Sequence, residues 1–211
     1  DKIAGELKIA VPESLMSYKL QKVLGLFKEK APNVKLSIIT LNCFAIRNIL
    51  LMGEVDIGLM YDVGTQNDNL TTIQLADFNL ALVCSPLFQQ DKLDLCKPNQ
   101  EINTSLIINE VESIYRKILE NYFHNNNIKL NNTIELWSIE AIKKCVASNL
   151  GISFLPRFTV EEELENGKLK ELKVGCSDSK ITAICAYHKN KWISPAMSLF
   201  MELVRENFNI D

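Results

Sequence analysis

Four short stretches of this chain place a hydroxyl, thiol or carboxylate just before an amphipathic helix: Ser14, Asn42 with Cys43, Glu112 with Ser113, and Ser138. The first N–H groups of a helix have no partner within it, and the helix dipole draws anions to that end. A serine there either caps the helix or joins the free N–H groups in holding a ligand's carboxylate. Both readings stay open for Ser14 and Ser138. Asn42 reads as a cap. Cys43 reads as a pocket-lining thiol, favoured as thiolate by the helix end and expected to be the most ligand-sensitive cysteine. Glu112 and Ser113 line another such turn. If Glu13 and Glu112 both face the ligand they oppose a simple anion and favour an amino-acid-like or neutral molecule. Arg116 reads as one half of a structural ion pair. Asp56 reads as a partner for backbone groups at a strand start.

No enzyme constellation accompanies these residues. The two histidines, His124 and His188, sit in no nucleophile motif, and there is neither a P-loop nor a G-x-G-x-x-G. Six cysteines, at 43, 84, 96, 145, 176 and 185, form no C-x-x-C, so no metal site is expected. No cofactor is implied either. Cys43, Cys84, Cys145 and Cys185 lie in apolar segments, and Cys176 and Cys185 read as unpaired thiols rather than a redox pair. That usage fits a reducing cytosol. With 23 Lys and Arg against 26 Asp and Glu, the net charge of −3 leaves no footprint for nucleic acid. No apolar run approaches the roughly 20 residues of a membrane span, and the first residues lack a signal-peptide pattern. The expectation is a cytoplasmic protein with no membrane partner.

The elements that position these residues alternate. Residues 7–11, 34–41 and 55–60 read as strands, with helices over 15–31 and from 42 or 43 to Gly53 between them. This β-α-β-α-β order demands parallel strands. Strands follow at 72–75 and 79–84, then a polar surface loop over 89–105. A second unit opens at residues 106–108, with a helix over 113–125. Residues 133–156 are a complete β-α-β unit. Ile134, Leu136 and Trp137 form its first strand, and Ser138 caps a helix with Ile139, Ile142 and Val146 on one face. Gly151 ends that helix in the left-handed conformation, and 152–155 is a strand stopped by Pro156. A helix over 159–165, strands at 169–172 and 181–187, and a helix over 195–208 complete the chain. The last helix has no sheet of its own and returns to the first half. The expected fold class is α/β. Two Rossmann-like lobes, 1–80 plus 187–211 and 81–186, are joined by two crossing strands with a cleft between them.

The ordered set of segments resembles the effector-binding domain of LysR-type transcriptional regulators. It comprises L-K-I-A-V-P-E-S-L-M-S-Y from Leu7, P-N-V-K-L-S-I from Pro32 and G-E-V-D-I-G-L from Gly53. E-x-x-S-I-Y-R from Glu110, S-I-E-A-I-K-K-C-V from Ser138, G-I-S-F-L-P from Gly151 and E-L-E-N-G-K-L from Glu163 follow. The resemblance implies the type II periplasmic-binding-protein fold. It also implies a small-molecule effector bound in the cleft and modulating transcription. The implied site is Ser14, Asn42, Cys43, Glu112, Ser113, Ser138 and Phe154, the last at the family's cleft-facing strand end. Cys43 stands where the family usually has Ser or Thr. A homodimer or tetramer is implied, with residues 15–31 and 139–148 in an antiparallel contact. DNA binding is implied only through an N-terminal winged helix-turn-helix domain that this chain lacks. A transport receptor of the same fold is the alternative.

Overall fold

The computed structural model describes residues 3–64, 67–89 and 94–208. The chain divides into two compact units, Asp1–Asp77 with Thr182–Asp211, and Phe78–Ile181. The sequence reading put the boundaries at 80/81 and 186/187. Both crossings fall inside unbroken strands, β4 (Leu70–Cys84) and β9 (Lys180–His188), where no Gly or Pro marks them.

In the first unit β1 (Ala4–Val11), β2 (Asn33–Thr40) and β3 (Ile57–Tyr61) are parallel, in the order β2-β1-β3. β9 pairs antiparallel with β3. Parallel neighbours need crossovers, and helices supply them: α1 (Glu13–Lys19) and α2 (Gln21–Lys30) after β1, and α3 (Cys43–Leu51) after β2. Leu7, Ile9, Ala10 and Val11 are fully buried, as expected of a strand covered on both faces. The single helix expected over 15–31 is two. Gln21 Nε2 donates to the Met16 carbonyl at 2.6 Å, the acceptor that a continuous helix would offer to the Leu20 N–H. The final helix, α7 (Pro195–Asn207), returns to this unit. Its N-cap Ser194 accepts from Met197 N at 3.1 Å, and Phe200 meets Phe27 edge-on with centroids 5.5 Å apart.

In the second unit the end of β4 pairs antiparallel with β7 (Ser153–Pro156) and β8 (Lys170–Leu172). β5 (Glu101–Ile108) and β6 (Lys129–Glu135) are parallel, linked by α4 (Ile114–Asn125). α5 (Ile139–Ala147) leads on to β7, and a short α6 (Glu161–Glu165) follows. Ile139, Ile142 and Val146 are fully buried, as their spacing requires.

Several local expectations change. The strands expected at 72–75 and 79–84 are one strand of 15 residues. The loop expected over 89–105 contains the start of β5 from Glu101, while its residues 90–93 lie outside those described. The strand expected through Leu136 and Trp137 ends at Glu135, and Trp137 is 67% exposed. β6 is mostly exposed, so the polar run Asn131-Asn132-Thr133 sits in it without cost, and apolar pattern does not locate it. Asn149, not Gly151, takes the left-handed conformation after α5, with φ of 61°. Gly151 answers a close approach instead: a Cβ there would lie 2.3 Å from the Ser105 carbonyl oxygen.

Candidate functional site

In the first unit the turns after β1 and β2 are tied together by Tyr61, the last residue of β3. Ser14 is buried, and its hydroxyl shares a hydrogen bond of 2.6 Å with the Tyr61 hydroxyl. Pro12 is the N-cap of α1, so Ser14 stands inside the first helical turn and is not a cap. Asn42 is the cap of α3, its Oδ1 accepting from Ala45 N at 2.9 Å. Cys43 begins that helix, buried, with its Sγ accepting from the Tyr61 N–H at 3.3 Å. Tyr61 was not read from the sequence; its only signal is its place at the end of the third strand. It also lines a cavity of about 300 Å³ with Arg47, Met60, Asp62, Leu70 and Thr72. Asp56 behaves as expected, accepting from Lys8 N at 2.7 Å and pairing with Lys191.

In the second unit the corresponding turns follow β5 and β6. Arg116 holds them together from the first turn of α4. It is buried, donating to the Asn109 carbonyl at 2.7 Å and pairing with Glu120 at 2.7 Å and Glu135 at 2.8 Å. These three acceptors lie at the end of β5, on α4 and at the end of β6, so one guanidinium fixes all three elements. The sequence reading of Arg116 as structural agrees with this geometry. Glu112 is exposed and pairs with Lys117 at 2.7 Å. Ser138 caps α5 from an exposed position, its Oγ accepting from Ala141 N at 3.4 Å. Ser113 is the N-cap residue of α4, yet its side chain makes no cap bond. Its hydroxyl is buried with no hydrogen-bond partner among the described residues. Phe154 has no exposed surface and pairs with Leu82, because β7 is covered along its whole length.

Burial also reorders the thiols. Cys43, Cys84, Cys176 and Cys185 are buried, Cys145 is intermediate and Cys96 is exposed. Burial pushes the Cys185 thiol up to about 12 and Cys176 up to about 11. The thiolate is the nucleophile, so raised and covered thiols react slowly. Timed iodoacetamide labelling with peptide mass analysis should therefore modify Cys96 first and Cys185 last. Cys43, expected from the sequence to be the reactive thiol, should label slowly in the folded chain.

Relatives place these observations. The architecture matches the regulatory domain of CcmR from Synechocystis, solved in complex with 2-PG, with a TM-score of 0.79 at 24% identity over 98% of each chain. It also matches the regulatory domain of MetR from N. meningitidis, with a TM-score of 0.78 at 22% identity over 97% of this chain and 94% of that one. These neighbours define a class, the regulatory domains with the type II periplasmic-binding-protein fold. Residues 1–209 match the model of the LysR substrate binding domain. Escherichia coli K12 has a relative, the uncharacterised HTH-type transcriptional regulator YfiE, 45% identical over 97% of this chain. YwqM of Bacillus subtilis, described in the same words, is 34% identical over the same share. The chain spans 69% of the length of each. The chain belongs to the LysR substrate binding domain family. It is an effector-sensing domain of a LysR-type regulator rather than a transport receptor. Those relatives are HTH-type transcriptional regulators.

Proposed function

We propose that this domain senses its effector at the strand-to-helix turns that carry Ser14, Asn42, Cys43, Glu112, Ser113 and Ser138. Occupancy would then alter transcription through a winged helix-turn-helix domain in the full-length protein. The observation that carries the site is the Ser113 hydroxyl. Buried polar groups are nearly always hydrogen-bonded, and this one stands uncommitted at the N-terminus of a 12-residue helix. A ligand oxygen belongs at such an end.

The test is a thermal-shift screen of small carboxylates, followed by titration of any hit against Ser14→Ala, Ser113→Ala and Ser138→Ala. Each variant should bind about tenfold more weakly, the scale of one lost hydrogen bond to a charged group. Unchanged affinity in all three sinks this site.

The domain is read as a sensor without catalytic activity, working in the cytoplasm, on the support that its relatives are transcriptional regulators. It is read as a homodimer or tetramer, with α1 and α2 of one copy against α5 of another in an isologous contact. Support for that pairing is the family resemblance. Sedimentation of the isolated chain should show self-association at high concentration; a strictly monomeric boundary counts against it.

A further inference from the structure

Two cysteines that the proposed site does not use are brought together in the second unit. Each is the third residue of a tight turn closed by a backbone hydrogen bond. Lys97 N–H donates to Asp94 O around Cys96, and Ser177 N–H donates to Val174 O around Cys176, both at 3.0 Å. The two turns are hooked to each other. Leu95 and Val174 pair as a parallel bridge, and strands paired in this way run about 5 Å apart. The Tyr122 hydroxyl, on α4, donates to the Leu95 carbonyl at 2.8 Å and accepts from the Gly175 N–H. Gly175 is needed there, since a Cβ would collide with that oxygen. Cys96 and Cys176 therefore each follow a residue held on one phenol. Their thiols also sense each other: a charge on Cys96 adds to the burial that raises Cys176. A disulfide needs Cα atoms within about 7 Å, a spacing that adjoining strands supply. The two environments differ, with Cys96 exposed and Cys176 buried.

We infer that Cys96 and Cys176 are a peroxide-oxidisable thiol pair, with Cys96 the attacking group and Cys176 the resolving one. The exposed Cys96 meets the oxidant. Its thiolate attacks one oxygen of hydrogen peroxide, the O–O bond breaks, hydroxide leaves and Cys96 becomes a sulfenic acid. The Cys176 thiolate then attacks the Cys96 sulfur, the S–O bond breaks, hydroxide leaves and the disulfide forms. The two thiol protons turn the two hydroxides into water. The thiols lose two electrons and the peroxide gains them. Burial pushes the Cys176 thiol up to about 11, so the second step is the slow one. The link fastens the 94–97 turn to the 174–177 turn over the C-terminal half of α4. It gives the domain a second input, independent of where the effector binds.

The test treats the reduced, folded chain with hydrogen peroxide at mildly alkaline pH. Remaining thiols are then blocked with iodoacetamide in urea, and the chain is digested without reductant for peptide mass analysis. The main product should be a Cys96–Cys176 peptide pair, two hydrogens lighter than its free peptides together. Cys84 and Cys185 should remain thiols, as they do only if the chain stays folded. Dimedone should trap a Cys96 sulfenic acid early in the parent chain and throughout in Cys176→Ser. Cys96→Ser should leave Cys176 reduced. Oxidation of Cys96 to the sulfinic or sulfonic acid without the link overturns the pair. So does a Cys96–Cys96 link between two chains in its place, or a Cys96–Cys176 link that forms only when peroxide is added in urea.

Discussion

Gly151→Ala should destabilise the domain by about 3 kcal/mol or more, the upper range of overpacking penalties. The added Cβ would stand 2.3 Å from the Ser105 carbonyl oxygen, 3.0 Å from its carbon and 3.1 Å from Ile107 Cγ1. Two of these three atoms are backbone, so no side-chain rotation relieves the clash. The contact cannot open without breaking Ile152 N–H to Ser105 O, at 2.9 Å, and Ile107 N–H to Ile152 O, at 2.8 Å. Those bonds fasten the entry of β7 to β5, and β5 carries the Glu110–Ser113 turn at its end. The urea midpoint should fall steeply. Gly25→Ala is the control: it has nothing within 4 Å, lies inside α2, and should stabilise by about 0.5–1 kcal/mol. A Gly151→Ala midpoint within error of the parent would show that the backbone gives way there at no cost.

Arg116→Met should cost about 3 kcal/mol, the low end of breaking a buried ion pair. Methionine keeps much of the apolar stem, so the loss isolates the guanidinium. The low end applies because Glu120 and Glu135 are 43% and 39% exposed and regain water. The Asn109 carbonyl is also left without its charged donor. Glu120→Gln and Glu135→Gln should each cost much less, because the guanidinium keeps its other acceptors. Denaturant midpoints of the three variants check the ranking. Equal losses in all three would mean that Arg116 works through its stem alone. Effector affinity should fall with Arg116→Met even after stability is matched by temperature, since the turn loses the group that fixes its position.

The α/β fold class and most of the helices were legible because their signals are local. Apolar residues at 139, 142 and 146 define a helix face wherever the segment packs, and all three are buried. Asn42 and Ser138 act as the caps their chemistry suggests, each accepting from an N–H three residues on. The alternation of strand and helix imposes parallel pairing on β1, β2 and β3 whatever surrounds them. β6 was misplaced because an exposed strand needs no apolar residues, and β4 was divided because Asp77 and Asn79 interrupt its pattern without interrupting its hydrogen bonds.

Partners were not legible, because a side chain's partner is chosen by contacts distant in sequence. Ser14 reads as either a cap or a ligand-holding group, and Tyr61, 47 residues away, is then found on its hydroxyl. Cys43 reads as a reactive thiol until the Tyr61 N–H and its own burial are known. Glu112 drew attention and proved to be paired with Lys117. Glu110, in the same motif, is half-buried beside Arg116, whose direct ion pairs go to Glu120 and Glu135. By itself, then, the sequence determined the α/β fold class and the turns at which polar groups gather, since both follow from local periodicity and capping, while the class of protein came from the resemblance of its ordered segments to a family. Only the tertiary structure decided which of those groups remain uncommitted, since that depends on where distant strands and helices bring the competing charges.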